Sequence, residues 1–136
     1  MKQTLARIAL VVDNYDDAID FYVRKLKFEL VEDTYQPEQD KRWVVVRPPG
    51  SDNGAALLLA EGRGEKQRDF IGNQAGGRVF LFLFTDDFER DYANLLAHEI
   101  EIIRPPNDFP YGRVVVFADL YGNLWDLVEP SETAIL

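Results

Sequence analysis

The sequence predicts an α+β protein made of two tandem βαβββ modules, and three observations carry that expectation. The chain has 136 residues, a length that suits one compact domain. Its hydrophobic content of 46% is enough to bury a proper core. Above all, it is written twice. Residues 7–31, RIALVVDNYDDAIDFYVRKLKFELV, run apolar, acidic, amphipathic and apolar again, and residues 80–103, FLFLFTDDFERDYANLLAHEIEII, do the same.

Each copy opens on a strand, expected over residues 5–12 and 78–85, where Val, Ile, Leu and Phe run up to an acidic cluster. A helix follows. Tyr15, Ile19, Tyr22 and Leu26 recur at helical spacing in the first copy, and Phe88, Tyr92 and Leu95 in the second. Asp86 with Glu89 resembles a capping box, and Asp13 with Asp16 is a weaker version of it. An apolar run closes each of these segments, and two further strands complete the copy. RWVVV at 42–46 parallels RVVV at 113–116, and GAALLLAE at 54–61 parallels GNLWDLVE at 122–129. The modules are therefore expected at about 4–61 and 78–130 of a single domain, joined by a mobile, glycine-rich surface connection at about 62–77.

Composition excludes several functions. With 24 acidic and 15 basic residues the net charge is −9, which disfavours nucleic acid and anionic membrane surfaces. No apolar run approaches the roughly 20 residues of a membrane helix, and no export signal opens the chain, so a cytoplasmic location is expected. Without cysteine there is no disulfide, thiolate metal site or cysteine nucleophile. Ser51 and Ser131 lie outside any nucleophile-elbow sequence. The single histidine, His98, sits where a helix should end, a surface position that the helix dipole favours. Gly62 and Gly64 lack the further glycine of a dinucleotide fingerprint, and no GK[ST] follows for a phosphate loop. Tyr111-Gly112 and Tyr121-Gly122 read as turn punctuation.

Three segments, ALVVDNYDDAIDFY at 9–22, FTDDFERDYANLLAHEIEI at 84–102 and YGRVVVFADLYGNLWDLVEP at 111–130, make the chain resemble the vicinal oxygen chelate superfamily. That superfamily includes glyoxalase I, extradiol dioxygenases and bleomycin or fosfomycin resistance proteins. The most specific pieces are the acidic-capped helix ending in Phe-Tyr and the D-x-x-G-N-x-x-x-L pattern from Asp119 to Leu127. The resemblance implies a curved mixed sheet around a cleft, with a divalent metal held by His or Glu from the first and last strands of each module. It also implies paired modules and a homodimer, which would cover edge strands.

Carried over, the ligand positions fall on Arg7, Leu58, Phe80 and Asp126. Arg7 keeps its proton and repels a cation, Leu58 and Phe80 have no lone pair, and one carboxylate does not hold a metal tightly. Glu61 and Glu129 lie three residues further on, hence on the opposite sheet face. No metal and no other cofactor is therefore expected. Alternation gathers Arg7, Ala9 and Val11, Leu58 with its neighbours, Phe80, Phe82 and Phe84, and Asp126 into a mostly apolar pocket holding one cation and one anion. Arg7 could hold a ligand carboxylate or phosphate while Asp126 acts as general base or partner of a ligand amine. Alternatively, Arg7 and Asp126 neutralise each other, and the phenylalanines are core. Trp43 could line the pocket, whereas Trp125 falls opposite Asp126 and packs under a helix.

The first functional expectation is a metal-free cleft that binds a small organic molecule, as drug-sequestering members of that superfamily do. The alternatives are a metal-dependent lyase, isomerase or dioxygenase, and a structural or regulatory module whose cleft is closed by side chains.

Overall fold

The structure is a computed structural model that describes residues 1–132. Two compact units divide the chain after Ile71, and each carries its own four-stranded mixed sheet. In the first, β1 (Arg7–Val12), β2 (Glu29–Gln36), β3 (Lys41–Arg47) and β4 (Ala56–Glu61) are ordered β1-β4-β3-β2. The second repeats the order as β5-β8-β7-β6, with β5 (Val79–Phe84), β6 (Ile102–Phe109), β7 (Gly112–Ala118) and β8 (Leu124–Pro130). The first and last strands of each unit pair in parallel, β1 with β4 and β5 with β8; all other pairs are antiparallel. The tandem βαβββ arrangement expected from the repeat is thus present.

One face of each sheet is covered by a helix. In the first unit Leu10, Val12, Val44, Val46 and Leu59 point to α1 (Tyr15–Ile19) and the π turn that continues it, Asp20–Lys25. Ala18, Phe21 and Tyr22 are buried against them. Phe88 and Leu95 of α3 (Phe88–Ala97) are buried in the second unit, along with Val115, Phe117, Trp125 and Leu127. Trp125 stacks on Phe117 with ring centroids 5.9 Å apart, so it lies under the helix as alternation predicts.

The duplication extends to how each helix is pinned. Arg42 of β3 lies over the Tyr15 ring at 5.2 Å and binds Asp16 at 2.9 Å and Asp33 at 2.7 Å. Arg113 of β7 lies over Phe88 at 5.2 Å and binds Glu89 at 2.5 Å and Asp108 at 3.5 Å. In both units one arginine ties the first turn of the helix to two strands, through a ring face and a carboxylate on either side.

The caps fall one residue later than expected. Asn14, not Asp13, has the extended backbone that turns into α1; its side chain accepts from the Asp17 amide at 2.8 Å and donates to the Asp17 carboxylate at 2.7 Å. Asp87, not Asp86, caps α3 by accepting from the Arg90 amide at 3.1 Å. Asp13 instead pairs with Arg68, and Asp86 with Arg90 at 3.0 Å. An acidic cluster marks a helix start without saying which member's φ and ψ leave it facing the free amides. His98 is the C-cap of α3, and its ring Nδ1 lies 3.1 Å from the Asn94 carbonyl.

The helices differ in length. From cap to the first left-handed residue, Asn14 to Lys27 is one step longer than Asp87 to Glu99. The π turn holds the surplus residue: Leu26 N–H bonds to Phe21 O, five residues back, at 3.0 Å.

The connection around 62–77 contains one short helix among turns. Its helix α2 (Gly64–Arg68) is fixed by the Arg68–Asp13 pair, and Arg63 donates to the carbonyls of Gln39 and Asp40. Further along, Gly72 has φ +76°, and an added Cβ would collide with the Tyr121 backbone carbonyl. Here the D-x-x-G-N pattern has a structural role. Asp119, 5% exposed, accepts from the amides of Tyr121 and Asn123 and from the Asn123 side chain, at 2.9–3.0 Å. Asn123 Oδ1 in turn accepts from the Gln74 amide at 3.0 Å, so a buried polar network closes the β7–β8 turn onto the chain that enters the second unit.

Candidate functional site

The sheet face away from the helix differs between the units, and strand register shows how. In the first unit Ala9 lies beside Leu58, Leu58 beside Val45, and Val45 beside Glu32. The second unit aligns Phe82, Asp126, Val116 and Arg104 in the same way. Directly paired residues share a face, so each set forms one row across its sheet. An apolar row ending in an acid in one module corresponds to an aromatic, an acid, a valine and a base in the other.

Asp126 is the chemically distinctive member. Its Oδ1 is buried and has no hydrogen-bond partner among the described residues. Burial pushes the carboxyl above its ordinary value, and the nearby positive charge of Arg104 opposes that rise. A buried acceptor without a donor costs about 1–3 kcal/mol, so a retained one calls for an explanation. On one side stands Phe82, 63% exposed, followed two residues on by Phe84 at 52%. On the other, Val116 is recessed and leads across the sheet to exposed Arg104. Among the described residues Arg104 forms no ion pair.

The remaining expected positions are spread over both sheets. Arg7 is exposed at the start of β1, pairs with Ala56 and donates to its neighbour's carbonyl, Ala6 O, at 3.0 Å. Leu58 is half-buried in the row of the first unit. Phe82 flanks Asp126, just as Ala9 flanks Leu58 in the first unit, and Phe80 falls in a register irregularity between Val79 and Leu81. Trp43 shares the open face with Val45 and is 36% exposed. Glu129 faces the helix side and accepts from the Phe88 amide at 2.8 Å, where it supports the start of α3.

Sequence reasoning missed Arg104. It lies in Ile-Ile-Arg-Pro-Pro, and β6 shifts register on both sides of it, between Ile102 and Arg104 and again before Asn107. No period-two pattern survives two bulges, so only the observed pairing with Val116 places the arginine on the open face.

These residues do not fit a divalent metal. Of the four positions that the resemblance assigns to ligands, only Asp126 has an anionic oxygen to offer. Among the described residues no three His, Cys, Asp or Glu side chains form a group that could hold a metal ion. None of the helices among them is long and apolar enough to cross a membrane.

Paired βαβββ modules, each with a helix on one side and an open face on the other, define a recurrent class of two-module proteins. The chain belongs to the glyoxalase/bleomycin resistance protein/dioxygenase superfamily, whose sequence profile matches residues 4–127. It is 67% identical over 132 residues to an uncharacterized protein of Shewanella frigidimarina (strain NCIMB 400), covering 97% of both chains. Among solved structures it is similar to UcmS2, with 26% identity, a TM-score of 0.80 and coverage of 95% of this chain and 99% of that one. TnmS3, an antibiotic binding protein from Streptomyces sp. CB03234, shares 30% identity at a TM-score of 0.74 over 96% of this chain and 98% of its own. The family resemblance read from the sequence is therefore correct.

Proposed function

We propose that this chain binds a small organic molecule on its open sheet face without a metal, with Asp126 as the polar anchor. The single observation behind this reading is the buried, unpartnered Oδ1 of Asp126 beside exposed Phe82. Apolar surface with a few oriented polar groups is the usual make-up of a small-molecule site. A ligand N–H or O–H would give the carboxylate the donor it lacks, while Phe82 and Phe84 offer aromatic surface. The likeness to an antibiotic-binding protein supports a sequestering role over a catalytic one. Phe80 belongs to the proposed binding surface of the second unit in a lesser role, as apolar lining, while Arg7 and Leu58 are proposed to line the corresponding sheet face of the first unit. A homodimer in the cytoplasm is part of the same reading, and light scattering across a concentration series tests the dimer.

The test is a thermal-shift and calorimetric screen of antibiotics and other aromatic small molecules, bleomycin included, against wild type and Asp126→Ala. At least one compound is expected to bind with micromolar Kd or better, to lose tenfold or more in the variant, and to bind equally well in EDTA. Binding that ignores Asp126, or that requires an added divalent metal, would overturn the proposal.

A further inference from the structure

We infer that the ligand is bipolar, with a hydrogen-bond donor at one end for Asp126 and a carboxylate at the other for Arg104, joined by a flat apolar body. This rests on the small-molecule reading above and adds the chemistry of the second end. Asp126 of β8 and Arg104 of β6 each pair with Val116 of β7, so they stand in one row two strands apart. Two strand spacings set their backbones roughly 9–10 Å apart, close to the length of two para-linked benzene rings, and among the described residues no ion pair joins their side chains.

The two ends have opposite needs. Asp126 Oδ1 is buried and lacks a donor. Arg104 is exposed, forms no ion pair among the described residues, and presents a guanidinium that matches a carboxylate in bidentate fashion. The recessed Val116 between them leaves the floor low, and Phe82 closes the row beyond Asp126. The other unit carries Leu58 where this one has Asp126 and Glu32 where it has Arg104, so only the second unit has this donor-then-acceptor demand. The overall charge of −9 does not cancel the attraction of Arg104, because charges more than about 8 Å away are screened at physiological salt.

Three probes test the inference by calorimetry: 4′-hydroxybiphenyl-4-carboxylate, 4-phenylphenol, which lacks the carboxylate, and biphenyl-4-carboxylate, which lacks the hydroxyl. The wild type is expected to bind the first at least tenfold more tightly than either of the others. Arg104→Gln should erase its advantage over 4-phenylphenol and leave 4-phenylphenol itself unchanged, whereas Arg104→Lys should keep part of the advantage. Circular dichroism melts confirm that the variants fold. If the wild type binds the first probe and 4-phenylphenol equally, or if Arg104→Gln preserves the ratio, the bipolar inference fails, while Asp126-dependent binding of 4-phenylphenol would still uphold the small-molecule reading. Failure of all three probes also overturns the bipolar inference. The small-molecule reading falls only if the wider screen finds no compound sensitive to Asp126→Ala.

Discussion

Replacing Asp126 with leucine, the residue at the matching place in the first unit, should make the protein more stable and deprive it of ligand binding. The wild type keeps Oδ1 buried without a partner, and such an atom costs about 1–3 kcal/mol. The carboxyl is only partly enclosed and feels the charge of Arg104, which places the effect at the low end, about 1–2 kcal/mol. For a chain of this size that is a rise in Tm of roughly 3–8 °C. Urea denaturation followed by tryptophan fluorescence, at one fixed protein concentration, measures it. The effect must also depend on pH. The folded-state pKa of Asp126 is raised, so the native protein holds the proton more tightly than the unfolded chain, and wild-type stability falls as pH rises from the ordinary value of 3.8 through the raised one. The advantage of leucine should therefore be full at neutral pH and shrink as pH drops through that interval. A leucine variant that is less stable than wild type at pH 7, or equally favoured at every pH, would refute the idea that an unsatisfied carboxylate is kept here at the expense of stability.

Other outcomes follow from the same geometry. Arg42→Met removes two carboxylate contacts and a ring contact, and should cost about 1–2 kcal/mol in chemical denaturation. Because the guanidinium beside Asp33 holds that carboxyl below its ordinary 3.8, this part of the wild-type stability is present above that value and disappears as pH falls through the lowered one; the variant's deficit should disappear with it. Gly72→Ala forces a Cβ onto the Tyr121 carbonyl from a left-handed backbone, and should cost about 2 kcal/mol or more by thermal melting.

Periodicity and repetition gave most of the architecture, because both arise from burial. Leu10, Val12, Leu59 and Val46 alternate with their open-face neighbours, and the second unit copies the arrangement. Even the paired arginines, Arg42 and Arg113, sit at the start of matching β-branched runs. Asp126 was reached through the family resemblance, as the one carried-over ligand position with an anionic oxygen. Details that depend on single dihedrals or on bulges did not show. The side chain of Asn14, not that of Asp13, accepts from the Asp17 amide, and a register break between Val79 and Leu81 takes Phe80 out of the paired ladder. Arg104 was hidden for the same reason, between two shifts in β6.

The π turn in the first unit bears on how the duplicated halves diverge. An additional residue in an α-helix rotates all that follows by about 100°, which would swing Leu26 and Phe28 out of the core. Absorbed in one wide turn, the same residue leaves both buried, and β2 still meets β3 along its length. The helix thus acts as an expansion joint: the surplus residue of the first unit is taken up there and leaves the row of side chains on the open face in place. One half of the molecule can be lengthened, and the other given a new chemistry, without either change disturbing the strands that follow.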